Sequence, residues 1–210
     1  MKKVSANQMK SAMSAVARLI VEKEPYLTEI DTVIGDGDHG FGMKTGFGAV
    51  EKMFCQSTFE YVDDVMKAVG MELIKTMGGA SGVIFGTMFI GGLKELGHEK
   101  EADALQIANF FAEGEKAIER RGKARPGQKT MIDALVPAAE EMRQVALKDG
   151  DIKEMFGAAY EGAMRGVEAS KSMLSRVGRS KNFRDATIGL PDPGAVSTSL
   201  IFKALFENLE

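Results

Sequence analysis

Met66-Lys67-Ala68-Val69-Gly70-Met71-Glu72-Leu73-Ile74-Lys75-Thr76-Met77 runs into Gly78-Gly79-Ala80-Ser81-Gly82, and residues 83–93 beyond it are almost continuously apolar. Met66, Val69, Gly70, Leu73, Ile74 and Met77 fall on one stripe at helical spacing, the pattern of a helix that buries a single face. The segment after Ser81 is apolar on every side and reads as a helix buried at the centre of the protein. Its glycines, Gly82, Gly86, Gly91 and Gly92, cost helix propensity. They are tolerated where a neighbouring helix or a ligand comes close.

Working outward, the same period continues. Ser5-Ala6-Asn7-Gln8 has the form of a capping box, and Met9, Met13, Val16 and Ile20 follow on one face until Pro25 marks the exit. A helix is expected over residues 43–54, burying Phe47, Val50 and Phe54. Further helices fit 101–120, 131–147, 152–174 and 196–208, with Pro137 either kinking its helix or sitting in the first turn. Alternating strand patterns are essentially absent. The expectation is an all-α protein of eight helices, a single domain spanning residues 1–210.

A net charge of −3 and a pI of about 5.6 give no sequence-independent hold on nucleic acid. Basic residues do cluster, at Arg120, Arg121, Lys123 and Arg125 and again over 171–184, which leaves a local anion site open. One cysteine, Cys55, excludes an intrachain disulfide and fits a reducing compartment. Met1-Lys2-Lys3 leads into mixed polar residues rather than an apolar block, and no apolar run reaches the ~20 residues of a membrane helix. A soluble cytoplasmic protein is expected.

Ile34-Gly35-Asp36-Gly37-Asp38-His39-Gly40-Phe41, preceded by Asp31, carries the chemistry. Carboxylates this close repel one another unless cations sit among them, and an oxygen-only set suits magnesium or calcium. The stretch also matches G-x-G-x-x-G, but that fingerprint needs a preceding strand and a bare pyrophosphate on its amides, which these acids would repel. An EF-hand fails because the twelfth position from Asp36 is Phe47, and no Walker lysine motif occurs. A solvated acidic turn is the plainer alternative.

Gly78-Gly79-Ala80-Ser81-Gly82 opens the buried helix, where free amides and the helix dipole favour a phosphate. A simple turn capped by Ser81 is the alternative. Together with a metal loop, the phosphate reading gains, and the pair points to a nucleotide. His39 is read as a phosphate or ribose contact, and His98 as a surface residue. Arg179, with Arg176, Lys181 and Arg184, is either a solvated basic loop or a source of charge for phosphoryl oxygens. Asp192-Pro193-Gly194 either caps the last helix or places Asp192 beside a base or ribose. Three loops, 31–42, 122–130 and 176–194, are too polar and glycine-rich to be mere connectors.

Taken in order, the 34–40 and 78–82 blocks, Arg121-Gly122-Lys123-Ala124-Arg125-Pro126-Gly127-Gln128-Lys129-Thr130-Met131 and Asp192-Pro193-Gly194-Ala195 resemble the L subunit family of dihydroxyacetone kinases over essentially the whole chain. The resemblance implies an eight-helix antiparallel barrel with a nucleotide–magnesium site at one end. It makes Asp31, Asp36 and Asp38 ligands of two magnesium ions. His39, Gly40, Ala80 and Ser81 would line the phosphates of ADP or ATP, and Gly122 and Met131 would lie along the adenine. Arg179, Asp192, Pro193 and Gly194 would close the site, with Arg179 as the catalytic residue. It further implies phosphoryl transfer to a short hydroxyketone bound covalently on a separate K subunit. In the phosphotransferase-coupled form, a phosphohistidine M subunit recharges a retained ADP. A homodimer is left open.

The chain departs from the family at Gly42, where members often carry asparagine. Fused ATP-dependent enzymes tend to have cysteine where His39 stands, so His39 leans toward the separate-subunit form. An ATP-dependent ketose kinase subunit, the nucleotide domain of fatty acid kinases and a non-catalytic nucleotide-sensing module are the alternatives.

Overall fold

The computed structural model describes residues 1–209. Nine α-helices account for most of them: α1 Ala6–Glu22, α2 Glu24–Ile34, α3 His39–Gln56, α4 Val62–Thr76, α5 Gly79–Ile90, α6 Ala104–Gly122, α7 Ile132–Leu147, α8 Ile152–Ser170 and α9 Pro193–Asn208. Eight of them close a ring. α1 packs on α3, and α3 through α9 each pack on the next until α9 returns to α1. Short links, such as residues 148–151 between α7 and α8, make such neighbours antiparallel. The expected eight-helix barrel is therefore present, with α2 added outside it against α3.

That extra helix corrects the sequence reading. α1 ends at Glu22, just ahead of Pro25 as expected, but Pro25 also opens a second helix. It occupies the first turn of α2, where a missing N–H has no intrahelical partner to lose. The loop expected over 31–42 shrinks to residues 35–38, because α2 runs to Ile34 and α3 already begins at His39.

Capping boxes fix three helix starts: Ser5 with Gln8, Asp103 with Gln106, and Asp151 with Glu154. Each cap contributes about 1 kcal/mol. The first two follow short strands, β1 Lys3–Ser5 and β2 Glu101–Asp103, which pair antiparallel with Val4 opposite Ala102. The helix expected from residue 101 therefore starts at Ala104.

Phe111 of α6 centres the core, its ring 5.0 Å from that of Phe110, 6.3 Å from Phe156 and 5.1 Å from Phe202, all edge-on. Burying each such side chain contributes about 1.5–3 kcal/mol. The close approach expected at α5 is to α4: a Cβ on Gly86 would stand 2.7 Å from the Gly70 carbonyl oxygen and 2.4 Å from Ile74 Cγ1. Pro137 lies inside α7, not in its first turn. It has no N–H to offer the Asp133 carbonyl, and Gly166 of α8 rests there, where a Cβ would come within 2.0 Å of that oxygen. No helix among the described residues is long and apolar enough to cross a membrane.

Candidate functional site

Four junctions meet at one cleft of about 550 Å³: the α2–α3 turn, the start of α5, the start of α7, and the long segment leading into α9. In the first, Asp31 stands on the last turns of α2, and one of its carboxylate oxygens accepts from the His39 amide at 3.2 Å. Asp31 thereby satisfies an amide at the start of α3, which has no side-chain cap of its own. Gly37 turns the chain with φ 74°, a conformation that strains other residues, and this swings Asp36 and Asp38 back toward Asp31. Oxygens of the three carboxylates lie within 4.8 Å of one another. The Asp38 carboxyl is held above its usual range, first by burial and then by the negative charge of Asp36.

Arg179, from the segment before α9, forms an ion pair with Asp36, and its Nη2 lies 3.7 Å from Asp38 Oδ2. The guanidinium is 70% exposed, at the open side of the acid set. The acid set itself, made only of acceptor oxygens that repel one another, fits a hard divalent cation such as magnesium.

The second wall is the N-terminus of α5. Gly78 occupies the cap position with φ 69°, and no side chain caps the helix. Ser81 lies within the first turn rather than capping it, so the leading amides are not claimed by its hydroxyl. Ala80 and Ser81 line the cleft alongside Ile84 and Phe85. The apolar side of the cleft thus adjoins an anion-favouring helix end.

His39 is buried between α3 and α9. Its Nε2 lies 2.8 Å from Ser197 Oγ, and its ring is 6.1 Å from that of Phe85. Burial lowers its pKa to about 4, outweighing the pull of Asp31 and a hydrogen bond to the Pro193 backbone. The imidazole is therefore neutral at pH 7. Asp192 caps α9 by accepting from the Ala195 amide at 2.8 Å, with Pro193 in the first turn. Burial pushes the Asp192 carboxyl up to about 7, against the opposing effects of that bond and of nearby Lys129.

Of the residues singled out from sequence, Asp31, Asp36, Asp38, His39, Ala80, Ser81, Met131, Arg179, Asp192, Pro193 and Gly194 all line this cleft. Gly40 and Gly122 do not. Gly40 faces α2, where a Cβ would stand 2.3 Å from Thr28 Oγ1, and Gly122 lies behind Ile84. Phe41, Thr45, Phe85 and Lys129, assigned no role from sequence, also form the walls. Phe41 directly follows the 34–40 block and Phe85 lies one helical turn after Ser81, so both were within reach of the motifs. Lys129 carried no signal beyond its place in a polar loop.

The DAK2 domain family model matches residues 33–207. The chain is 31% identical over 202 residues to the PEP-dependent dihydroxyacetone kinase, ADP-binding subunit DhaL, of Escherichia coli K12, covering 96% of each. It is 33% identical over 189 residues to PEP-dependent dihydroxyacetone kinase 1, ADP-binding subunit DhaL, of Listeria innocua, covering 90% of this chain and 89% of that one. The crystal structure of the C. freundii dihydroxyacetone kinase in complex with AMP-PNP and Mg2+ shares the fold, with a TM-score of 0.76 at 23% identity over 99% of this chain and 34% of that longer one. On these matches the chain belongs to the DAK2 domain family, with ADP-binding DhaL subunits as relatives along its length.

Proposed function

We propose that this protein is the nucleotide-binding subunit of a dihydroxyacetone or related short-ketose kinase, working with magnesium and a separate K subunit that carries the ketone. The observation that carries the reading is the meeting of three carboxylates, an uncapped helix N-terminus and an exposed arginine around one cleft. Asp31, Asp36 and Asp38 would hold magnesium, two ions by family resemblance. Bound there, the metal supplies positive charge to phosphate oxygens. The amides at the start of α5 would receive the remaining phosphate oxygens, with Ala80 and Ser81 beside them.

Ile84, Phe85 and Met131 offer an apolar slot for a base, and Gly194 packs against Met131, with Asp192 and Pro193 lining the same cleft. Arg179 is the residue able to leave the acids and follow charge developing on a transferred phosphoryl group. The neutral His39 serves as a wall and hydrogen-bonding partner. The PEP-dependent names of the E. coli and Listeria relatives support a phosphotransferase-coupled form. In such a form the cleft would hold ADP for recharging by a phosphohistidine M subunit.

The test is to purify the protein in magnesium, denature it and quantify the released nucleotide by ion-exchange chromatography. The expected result is near one ADP per chain. An empty protein whose melting temperature rises with magnesium-ATP would transfer the reading to an ATP-exchanging kinase subunit. An empty protein that ignores magnesium-ATP would overturn it.

A further inference from the structure

Lys129 is 1% exposed, yet it carries an ammonium into the wall of the cleft. Burying an ammonium is costly unless hydrogen bonds compensate. Here Nζ donates to the carbonyl oxygens of Ser170 and Leu190, each at 2.6 Å. Those two carbonyls are the two ends of one excursion of the chain. Ser170 is the last residue of α8, and Leu190 stands two residues before the Asp192 cap of α9. Between them lies the loop that bears Arg179.

The same base is closed by the Gly189 amide donating to the Lys171 carbonyl at 2.7 Å and the Asp192 amide donating to Ser170 Oγ at 3.0 Å. Lys129 is itself turned inward by Asp133, whose carboxylate accepts from the Gly127 amide at 2.5 Å and the Thr130 amide at 2.7 Å. Lys129 sits between those two anchored amides with φ 59°, a conformation that L residues adopt only when their surroundings impose it.

We propose that Lys129 is a positioning residue: its ammonium clamps the two ends of the 171–191 loop and thereby holds Arg179 over Asp36 and Asp38. The Arg179 guanidinium is exposed and has no partner other than Asp36 and Asp38 among the hydrogen bonds and ion pairs of the described residues. Its reach to the acids is therefore set by the loop that bears it, which is tied at its base and, three residues before Arg179, by the Arg176 amide donating to the carbonyl of Gln128, the neighbour of Lys129, at 3.2 Å. The consequence for transfer chemistry rests on the functional reading above. The clamp itself does not.

The loop supplies its own probe, because Arg176, Arg179, Lys181 and Arg184 are exposed tryptic sites within it. Lys129→Met keeps the apolar stem and removes the donors. Trypsin cleavage within 176–184, mapped by mass, should become roughly tenfold faster or more while the far-ultraviolet circular dichroism stays unchanged. Lys129→Arg, which can serve two carbonyls and keeps the charge, should restore most of the protection. Cleavage of Lys129→Met at the unaltered rate would overturn the proposal. Should Lys129→Met fail to fold, hydrogen exchange on the unaltered chain decides. The Gly189 and Asp192 amides must open in one event, and opening in separate events overturns the clamp.

With a K partner, the loss of phosphoryl transfer in Lys129→Met should not add to that of Arg179→Ala in the double variant, whereas a merely structural role gives additive losses. If the unaltered chain proves unable to bind magnesium nucleotide, the functional reading fails and the proteolysis still tests the clamp.

Discussion

His39 Nε2 and Ser197 Oγ lie 2.8 Å apart, joining the first residue of α3 to α9 across 158 positions of sequence. The bond places a neutral imidazole next to the acid set, and Asp192 stands a few residues away on the same helix start. The pKa values of these two buried groups move in opposite directions.

That opposition has a measurable signature in the metal- and nucleotide-free protein. His39, lowered to about 4 from 6.5, takes up a proton more readily when unfolded, so its contribution to stability is lost as pH falls from about 6.5 through about 4. Asp192, raised to about 7 from 3.8, holds its proton more readily when folded, so its contribution is lost as pH rises from about 4 through about 7. Each slope is about 1.4 kcal/mol per pH unit, and they cancel over their shared window. Asp192→Asn, which can still cap α9, should expose the histidine slope. Urea unfolding from pH 4.5 to 6.5 should show stability rising with pH in that variant and nearly flat in the parent. A rising parent curve would show that the Asp192 carboxyl is not protonated there.

Asp36→Asn removes a charge from the acid set and leaves every helix intact. Magnesium-dependent nucleotide affinity should fall about tenfold or more. Calorimetric titration measures it, and unchanged nucleotide-dependent melting would remove Asp36 from the metal site.

Arg179→Ala has two opposed effects. In the free protein, Arg179 competes with a cation for Asp36 and Asp38. Its loss should therefore tighten magnesium binding measured without nucleotide. Phosphoryl transfer should drop on the order of 10²–10³-fold, the usual scale for removing one donor aimed at developing charge. A variant that loses both magnesium binding and transfer would make Arg179 a support for the loop rather than a partner of the phosphoryl group.

Gly166→Ala tests the contact of α7 with α8. Its Cβ would need 2.0 Å from the Asp133 carbonyl oxygen and 2.6 Å from Ala134 Cα, so the helices must part. A loss of about 1–3 kcal/mol is expected, read as a lowered melting temperature. Because Asp133 also holds the 127–130 turn, nucleotide affinity should fall with it.

The helical class was legible from the sequence because stripes such as Met66, Val69, Gly70, Leu73, Ile74 and Met77 are local, and all of that stripe but Ile74 are buried. The Ser5–Gln8 box was legible for the same reason. Pro25 marked the exit of α1 but hid the start of α2, because one residue type both follows a helix and opens one. With α2 missing, Asp31 was placed in a loop although it stands on a helix. The acid set and the helix-start glycines were visible as motifs, but Gly40 and Gly122 turned away for reasons of packing against Thr28 and Ile84. Lys129 was invisible because a lysine in a polar loop normally faces water. Only the folded chain brings the Ser170 and Leu190 carbonyls to it.

Ring closure by α9 against α1 also orders events in time. The acids at 31–38 leave the ribosome early, while Asp192, Pro193 and Gly194 follow more than 150 residues later, a delay of roughly ten to thirty seconds at ordinary rates of synthesis. Until α9 arrives, Ser197 cannot meet His39 and the cleft lacks a wall. A nascent chain therefore carries its acidic cluster without a completed pocket, and capture of a ligand would mark a molecule whose synthesis has passed its ninth helix.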